Sequence, residues 1–512
     1  MVAARAYFRR RRPVAARPAS SVGPVRRQRY AAAQLDHLTG DWVPLVADVN
    51  ELIAGAAPRV RGRVAQLVRD FPPFHRAVNN LVGYTVGTGV QLQSQVRDDD
   101  GKPLHRARKA IEEAWKYFMD EADLSGGPAF RQHFHELAGL AKRQDVEAGE
   151  FIAAIVRHPE PRNRFLPFGL AFYESERLTD LGARPRSGNL LHHGVEYSPL
   201  TGAIEALHIA DAERIGAAVR VPAEDALFGF LRFRPGQLRG MTPFAPAVLL
   251  TRALGEAIGA EVDAFQLASK WLAIVTTQDP KTFQASRVTE REGRRIEQLE
   301  NAIIEYLRPG ESIELKNNQR GDEAFQSFAG FILRMVSITI DVPYEILTMD
   351  YRGLNYSTMR VGRNDFSDQI APIQRRHVLQ FYDRVFRRFL DESALRGRLD
   401  LPGYWRNPWR YRECLWIPPG MKPIDPLRET KAAVDAMGAY IASPQEFILA
   451  RGQDPERVLD DIAEWRRMCE ERGLDWRQAL GGVNTALASN PAAVSGEGGE
   501  SGDEDEEGRM IQ

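Results

Sequence analysis

The chain has 512 residues, 43% of them apolar, a formal net charge of −1 and two cysteines, Cys414 and Cys469. That length allows about two to four domains with real cores. The charge excludes bulk basicity as a means of gripping nucleic acid, and two distant cysteines exclude a disulfide framework or a multi-cysteine metal site.

A reducing, intracellular setting fits such cysteine usage. The longest apolar stretch, Pro246 to Thr276, carries Arg252, Glu256, Glu261, Asp263 and Lys270, whereas a transmembrane helix needs about 20 residues nearly free of charge. The first residues lack the apolar run of a secretory signal.

Charge is unevenly placed. Residues 1–35 hold nine arginines and no acid, and residues 497–507 hold seven acids and no base. Both ends read as loosely tethered arms. The basic arm is either solvated or in touch with nucleic acid or a neighbouring subunit.

Phe74, Val78, Leu81 and Val82 give a helical rhythm, and "VQLQSQV" then alternates like a half-buried strand. "RDDDGKP" reads as a turn. Helices are expected over Ala107–Met119 and about 129–144. "GEFIAAIVRH", "FGLAFYESERL", "VEYSPLTGAIEALHI" and "ALFGFLRF" read as strands. Short strands with turns over about 148–235 suggest an α+β domain.

Thr242 as N-cap and Pro243 at the first helical position would open a long helix. Leu250, Leu254, Ile258, Val262, Phe265, Ala268 and Leu272 carry it to about Val275, a length of about 50 Å. Residues 277–321 form an insert in which "IEYLRPGESIELKNNQ" reads as strand, Pro309-Gly310 turn, strand. A second helix starts near Asp322 and stops before Val342-Pro343. A third spans about Ser357 to Leu395, kinked at Pro372. Ser443, Pro444 and Glu446 form a capping-box pattern. Further helices run to about 480, and from Gly481 the chain turns to Gly, Ser and acid.

Catalytic signatures are missing. There is no GxxxxGK[ST] loop, no HExxH and no CxxC. "GTG" at 87–89 reads as a strand turn. "HFH" at 133–135 and "HH" at 192–193 have no second cluster at ligand spacing, and "DDD" at 98–100 suits a hairpin turn. No cofactor, metal or catalytic residue is assigned. An enzyme, such as a nuclease or a hydrolase, is the alternative class.

Four stretches resemble the portal proteins of tailed double-stranded DNA phages, in the lambda-like branch. They are "AVNNLVGYTVGTGVQLQ" at 77–93, "FRPGQLRGMTPFAPAVLL" at 233–250, "DVPYEILTMDYRGLNYSTMRVG" at 341–362 and the run from "LWIPPGMKPIDP" to "DDIAEW" at 415–465. Thr358 stands where the family commonly has Ser, and residues 277–300 match no family pattern.

The resemblance implies an α+β, mostly helical portal fold, with about twelve copies closing a ring around a central channel. Its parts would be a basic arm (1–40), wing (41–242), stem helix (243–276), clip (277–321), second stem helix (322–340), tunnel loop (341–357), kinked helix and connection (358–424), crown (425–480) and acidic tail (481–512). Such a ring would sit at a capsid vertex, assembled in the bacterial host cytoplasm, and thread double-stranded DNA without sequence preference during packaging and ejection. The large terminase subunit and a head-completion or adaptor protein would dock on the clip through Arg308, Glu311, Glu314 and Lys316. Major capsid and scaffold proteins would be further partners, with no membrane. Tyr351, Arg352, Asn355 and Tyr356 would face DNA from the tunnel loop. Packing of Tyr351 and Tyr356 against their own helices is the competing reading.

A conduit that neutralised many phosphates would hold DNA still. A channel lining of mixed or acidic character, with few basic rings, is therefore expected. Arg outnumbers Lys 59 to 9. GC-rich coding suffices to explain this, and two-point pairing with carboxylates at subunit interfaces would use it.

Overall fold

A computed structural model describes residues 46–125, 130–158, 164–276, 289–291, 294–299, 302–307 and 322–476. The chain divides into two units, the first running to Pro419 and the second starting at Gly420.

The first unit opens with α1 (Val49–Asp70) and α2 (Pro72–Thr85). The Asp48 carboxylate starts α1 by accepting from Asn50 N–H at 2.8 Å. Strand β1 (Gln91–Ser94) pairs antiparallel with β13 (Cys414–Ile417). Helices α3 (His105–Met119) and α4 (Phe134–Glu147) come next. Strand β2 (Glu150–Arg157) then lies between β3 (Phe168–Tyr173) and β8 (Ala226–Phe230), antiparallel to both. A second sheet takes β4 (Leu190–His192), β5 (Val195–Tyr197), β6 (Ile204–Ala210) and β7 (Ala218–Pro222) in sequence order.

The expected long helix is shorter at both ends. Ala245–Ala247 is a 3-10 turn, and α5 runs from Val248 to Lys270, about 34 Å at 1.5 Å per residue. The Thr242 hydroxyl accepts from Phe244 N–H at 3.2 Å and donates to Val146 O at 2.8 Å, so it caps that turn instead. At the far end Trp271–Thr276 is strand β9, not helix. Trp271, Ile274, Val275 and Thr276 are aromatic or β-branched, and parallel pairing with β12 supplies their ladder. Strands β10 (Thr289–Arg291), β11 (Arg294–Leu299) and β12 (Ala302–Leu307) complete this four-stranded sheet. The first half of the expected strand–turn–strand is thus β12; the Pro309-Gly310 turn and the expected second strand lie outside the described residues.

Helix α6 (Asp322–Ile340) packs beside α5. The short α7 (Tyr344–Thr348) leads to α8 (Tyr356–His377). Pro372 lies within α8. A five-residue π segment, Val378–Tyr382, joins it to α9 (Asp383–Leu395). Its wider turn buries the consecutive rings of Phe381 and Tyr382. Phe381 stacks on Phe134 at 5.4 Å, while Tyr382 meets Trp416 edge-on at 5.4 Å. Trp115 centres this core, with Phe134, Phe386 and Phe389 edge-on at 5.1 to 5.5 Å. A short helix, α10 (Pro408–Arg412), precedes β13.

Two buried ionic groups fasten the elements. Lys142 on α4 and Arg376 on α8 both bond the Asp145 carboxylate, at 2.6 and 2.7 Å. Glu150, wholly buried at the start of β2, receives Arg61 of α1 at 2.7 Å, the Arg239 guanidinium, and Gly240 N–H at 2.7 Å. Burial would raise Glu150, but Arg239 and Arg61 outweigh it and hold the carboxyl below its usual range. The stretch "RPGQLRG" at 234–240 is therefore a latch. Gln237 folds it by accepting from Phe233 N–H at 3.0 Å and donating to Arg239 O at 2.8 Å. At Gly240 a Cβ would lie 2.0 Å from Gly149 O.

The second unit contains α11 (Pro426–Gly438), α12 (Pro444–Ala450) and α13 (Pro455–Glu471). Each has proline in its first turn and a side-chain cap from Asp425, Ser443 or Asp454. At α12 Ser443 Oγ accepts from Glu446 N–H at 3.4 Å.

Candidate nucleic-acid interface

The loop between α6 and α8 has a fixed base. Asp341 takes the left-handed conformation (φ 53°), and Val342 N–H returns to Ser337 O at 3.2 Å, ending α6. Asn80 Nδ2 of α2 donates to Ile346 O at 3.1 Å, and Leu347 is buried. The Arg334 guanidinium lies 4.9 Å from the Tyr344 ring centroid, and Arg76 reaches the Met349 sulfur at 3.2 Å. Met349 (φ 60°) and Gly353 (φ 75°) then bend the chain out and back.

The tip between them is exposed. Arg352 is 88% exposed, yet its fork closes on Asp350 at 2.8 and 2.7 Å. The bond from Arg352 holds the Asp350 carboxyl down at about 2. The tip's cation is therefore neutralised by its own neighbour. Tyr351 is half-exposed, with its hydroxyl 3.9 Å from the Met349 sulfur.

Of the residues expected to face DNA, Tyr351 and Arg352 lie on this tip. Asn355 is the N-cap of α8: its side-chain oxygen accepts from Thr358 N–H at 2.8 Å and from the Thr358 hydroxyl at 3.0 Å. Tyr356 is the first residue of α8 and half-buried. Sequence reading missed Asp350, although an acid two residues before Arg352 is a visible signal. Arg308, Glu311, Glu314 and Lys316 lie outside the described residues, as do the basic arm and the acidic tail.

A second surface accompanies the loop. Leu254 of α5 and Ile332, Val336 and Ile340 of α6 are buried, which seals one side of the helix pair. Leu249 (69% exposed), Val262 (48%), Phe331 (53%) and Ile338 (67%) remain open to solvent. Apolar patches of this kind on long helices mark contact with another surface.

Among the described residues no cluster of three or more His, Cys, Asp or Glu could hold a metal, and no helix is long and apolar enough to cross a membrane. His135, packed near the Tyr382 hydroxyl at 3.3 Å, is pushed down to about 4 by burial. It serves as a core histidine.

Residues 36–374 match the family described as phage portal protein, lambda family. The probable portal protein of Halomonas phage phiHAP-1 is 25% identical over 401 residues, 75% of each chain. Portal protein B of Escherichia phage lambda is 26% identical over 166 residues, 31% of each chain. Among solved structures, a chain of the neck of an empty gene transfer agent particle aligns over 77% of this chain and 94% of that one. It does so at 15% identity with a TM-score of 0.43. A chain of the virion of a native gene transfer agent particle aligns over 80% and 100%, at 15% identity and 0.40.

Proposed function

Because this chain belongs to the lambda family of phage portal proteins, and is on that ground a portal vertex protein, we propose that its copies close a ring of about twelve subunits through which duplex DNA passes. The family match over 36–374 carries this reading. The open apolar faces of α5 and α6 support it, since neighbouring copies would cover what a lone subunit leaves wet. In this reading residues 41–242 are the wing, α5 and α6 the stem, 277–321 the clip, 341–357 the tunnel loop and 425–480 the crown.

The loop tip would stand toward the channel axis. Its fixed base and self-paired Arg352 suit weak, base-independent contact with a moving duplex, because each unpaired cation would add a phosphate bond and hinder sliding. Terminase during packaging, and an adaptor afterwards, would dock on the clip through Arg308, Glu311, Glu314 and Lys316. The ring would assemble in the host cytoplasm and sit at a capsid vertex, in contact with capsid and scaffold proteins.

Light scattering and negative-stain imaging of the purified protein test the ring. A solitary globule with α5 and α6 enclosed would end this reading. Tight duplex binding with a steep salt slope would end the weak-contact part alone.

A further inference from the structure

The first half of α8 stands clear of its own chain. Ser357, Thr358, Met359, Arg360 and Val361 are all exposed, and the first buried residue of the helix is Phe366, edge-on to Tyr84 at 4.9 Å. Arg360, Arg363, Asp365 and Asp368 carry the charge of this stretch. Among the described residues none of these four side chains has an ion pair. Arg352, by contrast, closes on Asp350 within its own loop.

Their order does not suit a helix that meets only water. Residues three and four apart are neighbours on a helix surface, where opposite charges stabilise and like charges destabilise. Here Arg360 is spaced with Arg363, and Asp365 with Asp368, and no opposite pair stands at either spacing. At about 100° per residue, the two arginines centre roughly 140° around the helix from the two aspartates. The aspartates lie opposite the face that buries Phe366, Ile370, Gln374 and His377, and the arginines lie beside that face. One flank of α8 is thus basic and another acidic, and the chain that carries them neutralises neither.

A head-to-tail contact between copies needs two different patches that complement each other, and it closes into a ring when its rotation allows. We propose that Arg360 and Arg363 of one copy pair with Asp365 and Asp368 of the next, so that α8 joins neighbouring copies. This rests on the ring proposed above and assigns one of its contacts. Val361, 61% exposed on the acidic flank, would be covered by the same contact. Duplex DNA fits less well, because phosphates would answer the arginines and leave the aspartates without a partner.

Charge reversal in the full chain tests this. One variant carries Arg360→Asp with Arg363→Asp, the other Asp365→Arg with Asp368→Arg. Each sets like charges against each other at every contact. Alone, each should need an at least roughly tenfold higher concentration than the unaltered chain to form rings, read by analytical ultracentrifugation at low salt. An equal mixture of the two restores acid against base and should assemble like the unaltered chain; a misfolded variant would not be restored in this way. The deficit of each variant should shrink at about 1 M salt, where exposed charges are screened. Rings formed by either variant as readily as by the unaltered chain would overturn the pairing, as would a mixture no better than its parts. If the first variant keeps its rings while its salt slope for duplex DNA flattens, the arginines serve phosphate, which also overturns it. Lone subunits from the unaltered chain at every concentration would end the ring itself, and this contact with it.

Discussion

Replacing Arg239 with methionine isolates the latch on Glu150. The carboxylate is wholly buried and takes bonds from Arg239, Arg61 and Gly240 N–H. Breaking a buried pair from one side costs about 3–5 kcal/mol. Arg61 and Gly240 remain, so Arg239→Met should fall at the lower end, about 3 kcal/mol. Hydrogen exchange at Ile152, Ala153 and Ala154 reads this locally, with protection falling about a hundredfold at neutral pH. The pH dependence carries a sign. Glu150 is held below its ordinary 4.5, so its pairing stabilises above that pH and fades as pH falls through the folded value. Without Arg239, burial weighs more and the carboxyl titrates higher. Protonation then relieves the buried charge in the variant before it weakens the intact chain, so the gap narrows towards about pH 4. A loss below about 1 kcal/mol, or a gap independent of pH, would refute the latch.

Three other changes bear on the core, the loop and the α5–α6 pair. Trp115→Ala removes the hub of the aromatic core and should cost about 3–5 kcal/mol, seen as an earlier denaturant midpoint; a shift within error would remove Trp115 from the centre of the core. Asp350→Asn frees Arg352, so duplex binding should tighten and its log–log salt slope steepen by about 0.9 for each tip engaged. An unchanged slope would place Arg352 away from DNA. Phe331→Asp puts a charge on the open face of the α5–α6 pair, and light scattering should report subunits instead of rings; intact rings would show that this face is not shared.

Local pattern made much of this fold readable, and pairing at a distance made the rest invisible. β2 is legible because "FIAAIV" at 151–156 is one apolar run, and α3 because Ile111, Ala114, Trp115 and Phe118 share a face. α1 hides its period behind Gly55, Pro58 and Gly62. β9 keeps a helical spacing through Leu272, and what makes it a strand is β12, about thirty residues on. The motif around Arg239 can be seen in the sequence, but its partner Glu150 stands 89 residues earlier. At the loop tip the residue types were legible and their commitments were not. Asn355 looks like a free amide until α8 is known to begin at Tyr356 and need a cap.

Under the proposed channel reading, the loop would supply both stiffness and a weak touch from one short sequence. Its base is held by side chains of α2 and α6 and a buried leucine, so the tip does not need the duplex to order it. Ordering on contact would instead cost conformational entropy at each encounter. The tip's one arginine is matched within two residues by an acid. Its net charge is near zero while its surface stays polar and aromatic, which in a channel would favour brief water-bridged contact over phosphate capture. Asp350→Asn leaves the base intact and changes only this balance. A tighter grip in that variant, with ring assembly preserved, would tie the weakness of the contact to the pair and not to the distance between loop and duplex.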